Sequence, residues 1–594
     1  HGKRRDPVHD YLRVIVNVFL VNDGKRYEVP FLKRLGDFSN EVCKTVTDEK
    51  TGVEYPVLAA LVDHKLKELD YRLSMSHEVE FIGYNHPDGR RTYLRSLCFV
   101  LQNAVRELFP DKVLIIDHSL PSGLYCNICD VELREDGRRV PVRLSDADLA
   151  AIKKRMHEIV AADMPFVKKK MEASAAEALF EKNNQPDKAE LQKSLGKFIC
   201  SVYFLDGQVD TFHGPLLPST GYLKVFDLLP FANGFCLQFP SEGDFSKVIP
   251  VKTQSKIAAT LAAYSDWCSI VRVNGIGTLN RAITEGNAVR LINLSEALHE
   301  RKYAAIADQI YSRRDKVKAV FIAGPSSSGK TSSSLRLALQ CRVLGMVPKV
   351  IELDNYFVDR EHTPKDSDGN YDFEALGAMD LKLLNSQLND LFAGKEVELP
   401  KFDFKEGRSV LSGKRISLGD KEILIMEGIH ALDPAMVPDV DNSRIFRVYA
   451  SALTSLNIDE NNNISTSDNR LLRRMVRDNR VRGITPEETI MRWQSVRRGE
   501  NRNIFPFQEN ADAVFNSATL YELCVLKQYA EPQLYAISTV LSFPYFSSMD
   551  FISPNFINPS ELYEMIMNFA SSALIIFSIL SLPLITTTTE DAIK

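Results

Sequence analysis

At 594 residues the chain exceeds what one hydrophobic core organises, and a prior of roughly 150 residues per domain divides it into three or four units. Hydrophobic residues make up 44% of it and charged residues 25%, which excludes a disordered or fibrous chain. A net charge of −5 excludes a broadly basic surface built to neutralise nucleic-acid phosphates, so any RNA contact would need a local basic patch.

The nine cysteines are scattered without framework spacing, as expected for reduced thiols in a cytoplasmic setting. The chain begins at His1 rather than Met and no apolar run follows its basic start, so no secretory signal is read from it, although it reads as a fragment whose missing N-terminus would hide one.

Residues 13 to 35 read as two strands around the turn Asn22-Asp23-Gly24. The stretches VEYPVLAALVDHKLKELDYRL and HEVEFIGYNHPDG add strand pieces closed by polar turns, which predicts a small mixed unit ending near residue 88. YLRSLCFVLQNAVRELFP then has apolar residues at helical spacing up to Pro110, followed by the strand-like KVLIID. Residues 145 to 195 carry helical periodicity with many Lys and Glu, expected to be solvated helix faces. From 254 to 316 the pattern is almost continuously helical and reads as a connector.

VKAVFIAG is a short apolar run suited to a buried parallel strand, and strands and helices alternate from there to about 530. The run leads into Gly324, Pro325, Ser326, Ser327, Ser328, Gly329, Lys330 and Thr331, which fit G-x-x-x-x-G-K-[ST], and on through Ser332 into a predicted helix. Such a loop turns successive backbone N–H groups toward an anion, with Lys330 reaching the terminal phosphates and Thr331 able to ligate Mg²⁺. ATP or another nucleoside triphosphate is the expected occupant.

Whether the phosphoryl group then goes to water or to a hydroxyl depends on other residues. The strand PKVIEL ends at Asp354, placed to accept the proton of an attacking hydroxyl, and EILIM ends at Glu427, placed to hold Mg²⁺. RLLRRMVRDNRVRG concentrates Arg470, Arg473, Arg474, Arg477, Arg480 and Arg482 on one helix and its C-terminal turn, a shape suited to a lid over phosphates.

GPSSSGKT, LDNYF, LPKFDF, IMEGIHAL and RRMVRDNRVRG stand in the order and spacing of the uridine kinase and phosphoribulokinase family, which the segment from 317 to 530 resembles. The resemblance implies that Asp354 is the catalytic base, that Glu427 belongs to the Mg²⁺ site, and that Arg477 and Arg482 contact phosphates. It also makes Asp372 in GNYDF the candidate for ribose hydroxyls, with Phe402 and Arg408 lining the acceptor site. Phe402 stands where uridine kinases usually have Tyr, and KEGR lacks the His that helps them read a pyrimidine, so base specificity stays open. The polar stretch NIDENNNISTSDN before the lid is expected to be a flexible surface loop.

RSLCFVLQNAVRELFPD, DHSLPSGLYCNI, RMHEIVAADMPFVKKK and HGPLLPSTGYLKVFDLLP run in the order found in threonyl-tRNA synthetases, which the first 250 residues resemble. The resemblance implies a TGS-like β-grasp domain followed by an α+β editing-type domain. In that family two His on the first helix and a later Cys and His form the editing centre. Here those positions hold Arg95, Phe99, Phe212 and Leu216, none of which replaces an imidazole or thiolate ligand, so no editing hydrolase is expected. Cys126 and Cys129 form a lone C-x-x-C, and His118 and His213 are isolated; all four read as structural.

The expected organisation is a multi-domain α/β chain. It comprises a β-grasp unit (12–88), an editing-type unit (89–253), a helical connector (254–316), a P-loop parallel-sheet kinase unit (317–540) and a divergent tail (541–594). The order resembles that of long uridine kinase-like nucleoside kinases. The expected reaction is transfer from ATP, with Mg²⁺, to a small molecule, most simply a nucleoside. The rivals are a sugar-phosphate acceptor and an RNA- or tRNA-linked nucleotide switch. The tail segment 565–585 has nearly the length of a bilayer span, but Asn568, four serines and Pro583 interrupt it, so a membrane role is not expected. The residues do not specify an oligomeric state.

Overall fold

A computed structural model describes residues 14–541, apart from 49–50, 121–122, 136–137, 242–243, 251–254, 366–368, 370, 404–405 and 455. The tail segment 565–585 lies outside the described residues. Among the described residues no helix is long and apolar enough to cross a membrane, and all nine cysteines are free.

The expected N-terminal hairpin forms from Ile15–Leu20 and Lys25–Pro30. Gly24 supplies the positive φ of +69° at its turn, and the Tyr27 hydroxyl donates to Asp23 at 2.6 Å. Val16, Val18 and Leu20 face inward while Ile15 and Phe19 face out, the two-residue period of a half-buried strand. His77–Ile82 lies parallel beside the first strand, and Ala59–Val62 and Lys65–Lys67 complete a five-stranded mixed sheet. The helix Leu35–Val42 seals one face with Leu35 and Phe38.

Helix α1 (Pro87–Leu108) starts six residues before the apolar periodicity of the sequence. The PDG that reads as a turn is its first turn, because Pro87 is preorganised at N1 and the His86 ring accepts from the Asp88 N–H. Its Leu97, Phe99, Leu101 and Ala104 pack on an antiparallel sheet containing β1 (Lys112–Leu120) and Gly123–Leu133. The expectation of helix across 145 to 195 fails at Val167–Glu172, a strand paired antiparallel with Ile199–Leu205. Its run of lysines needs only water on exposed positions, which an edge strand supplies as well as a helix does. Helix α2 (Pro186–Leu195) follows.

The stretch read as a connector forms Ser255–Ile270, α3 (Ile276–Thr284) and Ala288–Ser312. These helices are packed into cores on either side: Leu279 of α3 meets Leu191 of α2 and Leu472 in a single apolar cluster.

In the C-terminal half β2 (Ala319–Ala323) leads into α4 (Lys330–Val343), and β3 (Val347–Glu352), β4 (Glu422–Glu427) and β5 (Ile445–Ser451) follow. Next come α5 (Thr466–Arg477), α6 (Pro486–Asn503), β6 (Ala513–Asn516) and α7 (Glu522–Leu541). The sheet order is β3-β4-β2-β5-β6, and every pairing is parallel. All five residues of β2 are buried, since apolar clusters cover both faces of the sheet and leave no reason for alternation. At about 1.5–3 kcal/mol per fully buried large apolar side chain, Phe321 and Ile322 anchor the strand that aims the phosphate loop.

The polar stretch 457–469 is not a flexible surface loop. Asn457, Asp459 and Asn461 are buried because their side chains are hydrogen-bonded or paired within the N-terminal half, Ile458 is buried in an apolar cluster, and the stretch runs directly into α5.

Candidate active site

The loop between β2 and α4 has the shape its composition demands. Gly329 caps α4 in a left-handed conformation, φ +81°, and Ser327 adopts φ +57°. A Cβ on Gly324 would stand 1.9 Å from the Ala450 carbonyl oxygen, so only glycine fits where the loop passes β5. Ser517 after β6 braces the loop from outside, its hydroxyl donating to the Ser328 carbonyl at 2.6 Å. The Pro325 carbonyl accepts from the Ser328 N–H at 3.2 Å, Ser332 is exposed on the first turn of α4, and the hydroxyls of Ser327 and Ser328 are buried without partners. The Lys330 ammonium rests on the Gly324 carbonyl at 3.0 Å and near that of Pro325 at 3.4 Å.

Parallel pairing puts Glu427 in register with both Ile322 and Glu352, so the carboxyl ends of β2, β3 and β4 meet at the loop. The Thr331 hydroxyl donates to Glu427 at 2.5 Å. Two hard oxygen donors converging beside a triphosphate-type loop fit Mg²⁺, for which a hydroxyl, a carboxylate and phosphate oxygens are suitable ligands.

Asp354 opens the 3₁₀ turn after β3. Its side chain is reachable by solvent, but the protein packed around it displaces part of the water, and this raises its carboxyl to about 6. Lys330 opposes the shift, while Glu427 and Glu352 add to it.

The arginines divide into two groups. Arg470 donates to the Ser326 carbonyl at 3.0 Å, Arg473 reaches the Ser327 carbonyl at 3.4 Å and Ser517 at 3.1 Å, and Arg474 donates to the Ser326 hydroxyl at 2.8 Å. Arg477 and Arg482, named from the sequence for phosphate contact, instead turn to Asp478, at 2.7 and 3.5 Å, in the π-helical turn Asp478–Arg482. The guanidiniums against the loop are those one turn and more earlier in the helix.

Asp372 is held at 3.0 Å by Arg502 of α6 and accepts from the Glu374 N–H at 3.1 Å. Phe402 is buried against Phe357, ring centroids 5.7 Å apart, and its N–H lies 3.4 Å from the Asn355 side chain next to Asp354. Arg408 is exposed on the next strand opposite Asp403, and none of its described contacts reaches the loop.

Two carboxylates of this region escaped the sequence. Glu374 is raised to about 7 by its surroundings, chiefly burial and then Glu500, with Lys330 and Arg474 opposing. Its approach requires Gly499, where a Cβ would meet the Glu374 Cβ at 2.8 Å. Glu500 is buried, accepts the Ser326 N–H at 2.9 Å and pairs bidentately with Arg470 at 2.5 and 2.8 Å. Burial alone would raise its carboxyl; Arg470, Arg497 and the Ser326 amide together hold it below the usual range. The only hint in the sequence is the Gly-Glu step inside the arginine-rich C-terminal part of the helix. Breaking a buried pair of this kind costs about 3–5 kcal/mol, so Glu500→Ala is expected to lose that much stability in a denaturant titration, against a near-neutral Glu487→Ala control on the same helix.

In the N-terminal half, Arg95, Phe99, Phe212 and Leu216 do meet, but as packing. The Phe99 and Phe212 rings lie 5.4 Å apart, Leu216 is buried, and Arg95 donates to the Pro215 carbonyl at 3.1 Å. This donor set fits no metal. Cys126 and Cys129 are buried on a strand, and His118 is buried against Tyr125.

Residues 319–523 match the sequence profile of the Phosphoribulokinase / Uridine kinase family. The threonine–tRNA ligase of Desulforamulus reducens is 32% identical over 198 residues, covering 33% of this chain and 29% of that protein. That of Carboxydothermus hydrogenoformans is 29% identical over 196 residues, again covering 33% and 29%. The chain thus spans under a third of the length of these ligases. Among solved structures, a "Possible Uridine Kinase" from Bacillus stearothermophilus is 21% identical, covering 35% of this chain and 99% of that one at a TM-score of 0.22. The chain joins a Phosphoribulokinase / Uridine kinase family segment to an N-terminal region similar to threonine–tRNA ligases.

Proposed function

We propose that this protein transfers the γ-phosphoryl group of ATP to the 5′-hydroxyl of a nucleoside, giving ADP and the nucleoside 5′-monophosphate. The observation carrying the reading is the convergence of Asp354, Lys330 and the Thr331–Glu427 pair around one glycine-shaped loop. In this reading backbone N–H groups of the loop, among which Pro325 has none and that of Ser326 is taken by Glu500, hold the phosphates. Lys330 leaves its carbonyl partners to neutralise the transferring group, and Asp354 takes the proton from the attacking hydroxyl. Mg²⁺, held through Thr331 and Glu427, would supply charge neutralisation between phosphates. Asp372 orients the acceptor's ribose hydroxyls, with Phe402 as an apolar wall beside it and Arg408 at the rim. Arg477 and Arg482 are one swing away from the phosphates once they release Asp478.

The units assigned to this chain are a TGS-like β-grasp domain (12–88), an editing-type domain without its metal site (89–253), a helical segment (254–316) and the kinase domain (317–540). The free thiols fit a reducing, cytoplasmic location.

Since Asp354 must be ionised to act as base and its carboxyl is raised to about 6, kcat/KM is expected to fall tenfold per pH unit below that value and to level off above it. An unperturbed aspartate would place the inflection near 4; a flat profile across about pH 5 to 8 would contradict the base assignment. The reaction itself is tested with a panel of nucleosides and sugar phosphates and radiolabelled ATP. A labelled nucleoside monophosphate is the expected product, and a labelled sugar bisphosphate with no labelled nucleoside monophosphate would overturn the reading.

A further inference from the structure

Residues 457–464 join β5 to α5, the helix whose arginines hold the phosphate loop, yet most of their hydrogen bonds are made in the N-terminal half. The Asn457 side-chain amide donates to the carbonyls of Ile116 and Asp117 at 3.1 and 3.0 Å, and that of Asn461 to Leu114 at 2.8 Å. The Ile116 N–H donates to the Glu460 carbonyl at 2.8 Å, so the segment follows the edge of β1. Gln102 of α1 donates to the Asn461 side chain at 2.9 Å, and Asn462 donates to the Thr211 carbonyl at 3.2 Å, next to the Phe212 that fills the old ligand position.

The centre of this contact is charged and dry. Lys188 of α2 is 1% exposed and lies 2.7 Å from Asp210 and 2.9 Å from Asp459. Asp459 also accepts the N–H groups of Asn461 and Asn462, which fixes the turn. Glu460 pairs with Arg139, and its N–H donates to Asp187 at 2.7 Å. A buried ammonium shared by carboxylates from two halves of the chain is a poor source of stability relative to apolar packing, but it demands one register, because either partner left alone is an uncompensated charge.

The other end of the segment is continuous with the lid. Ile458 and Ile464 share an apolar cluster with Leu191 of α2, Ile276 and Leu279 of α3, and Leu471, Leu472 and Met475 of α5. Ser465 caps α5, its hydroxyl accepting from the Asp468 N–H. On the opposite side of that helix Arg470, Arg473 and Arg474 grip the loop. The chain of contacts therefore runs from Lys188 through Asp459 and 460–465 into α5 and on to Ser326 and Ser327.

We propose that Lys188 and Asp459 are positioning residues for phosphoryl transfer: by pinning residues 457–464 into the N-terminal half they set the placement of α5 and, through its arginines, the shape of the phosphate loop. The N-terminal half thereby serves the phosphate loop from a distance, through residues 457–464 seated on β1 and Lys188. The effect on turnover rests on the reading of the C-terminal half as a kinase, whereas the effect on the loop's shape does not.

The test uses the full chain and its Asp459→Asn and Asn461→Ala variants, the second removing hydrogen bonds without unpairing a buried charge. Hydrogen–deuterium exchange is followed in peptides covering 457–464, α5, residues 324–331 and, as a reference, β3. Both variants are expected to raise exchange in 457–464, in α5 and in the loop by about tenfold or more, with β3 unchanged. They are also expected to lower kcat by about ten- to a hundredfold with acceptor KM little altered. Faster exchange confined to 457–464 and the N-terminal half, with α5 and the loop as in the unmodified chain, would overturn the proposal. If Asp459→Asn unfolds the protein, Asn461→Ala decides by the same peptides. An inactive unmodified chain would count against the kinase reading alone, since the exchange pattern still decides the coupling.

Discussion

Lys330→Ala is expected to lower phosphoryl transfer by two to three orders of magnitude, about what the loss of one preorganised charge at the reacting group costs. The lysine sits on carbonyl oxygens of its own loop and contributes little to the core, so the variant should melt like the unmodified protein. The pairing of near-normal stability with lost turnover separates a catalytic charge from a structural one. A variant that retains more than a tenth of the rate would move the phosphate-neutralising role to Arg470, Arg473 or Arg474, the other cations in contact with the loop.

Asp354→Asn is expected to remove about 10²–10⁴-fold in kcat, the usual contribution of a general base, while ATP still binds. The amide keeps the side chain's size and its place at the end of β3 but cannot accept a proton. It also removes one member of a set of acids, Asp354, Glu427, Glu352 and Glu374, that repel one another near the lysine. ATP affinity is therefore expected to rise slightly as kcat collapses, the signature of a group that acts on the acceptor rather than on the nucleotide. If Glu374→Gln rather than Asp354→Asn produced the large loss, the base would be the neighbouring carboxyl raised to about 7.

What the sequence revealed followed the range of the interactions involved. The loop between β2 and α4 is specified by consecutive residues, and Gly324, Gly329, Lys330 and Thr331 can be read without knowing what surrounds them. Asp354, two residues past the end of β3, and Glu427, at the end of β4, were legible for the same reason, since an apolar run followed by an acid is a local pattern. Glu500 and Glu374 were not, because each matters through an approach between distant segments: Glu500 reaches Ser326 across 174 residues, and Glu374 fits only because residue 499 lacks a side chain.

The stretch 457–464 is the sharpest case. Its asparagines and acids have the composition of a solvated loop, and composition alone cannot show that backbone carbonyls of Leu114, Ile116 and Asp117 wait for their amides. The arginines of α5 show a milder version. The basic helix was evident, but which of its faces meets the loop depends on α7, where Glu522 pairs with Arg473 and fixes the rotation. That rotation gives the loop to Arg470, Arg473 and Arg474 and leaves Arg477 and Arg482 to Asp478.

The central claim, that this loop grips a nucleoside triphosphate, is most directly tested by isothermal titration of the full chain with ATP and Mg²⁺. The structure predicts one site per chain, lost on adding a Gly324→Ala substitution, whose Cβ would collide with the Ala450 carbonyl. Absence of any heat of binding with ATP or GTP, from protein shown to be folded, would contradict it.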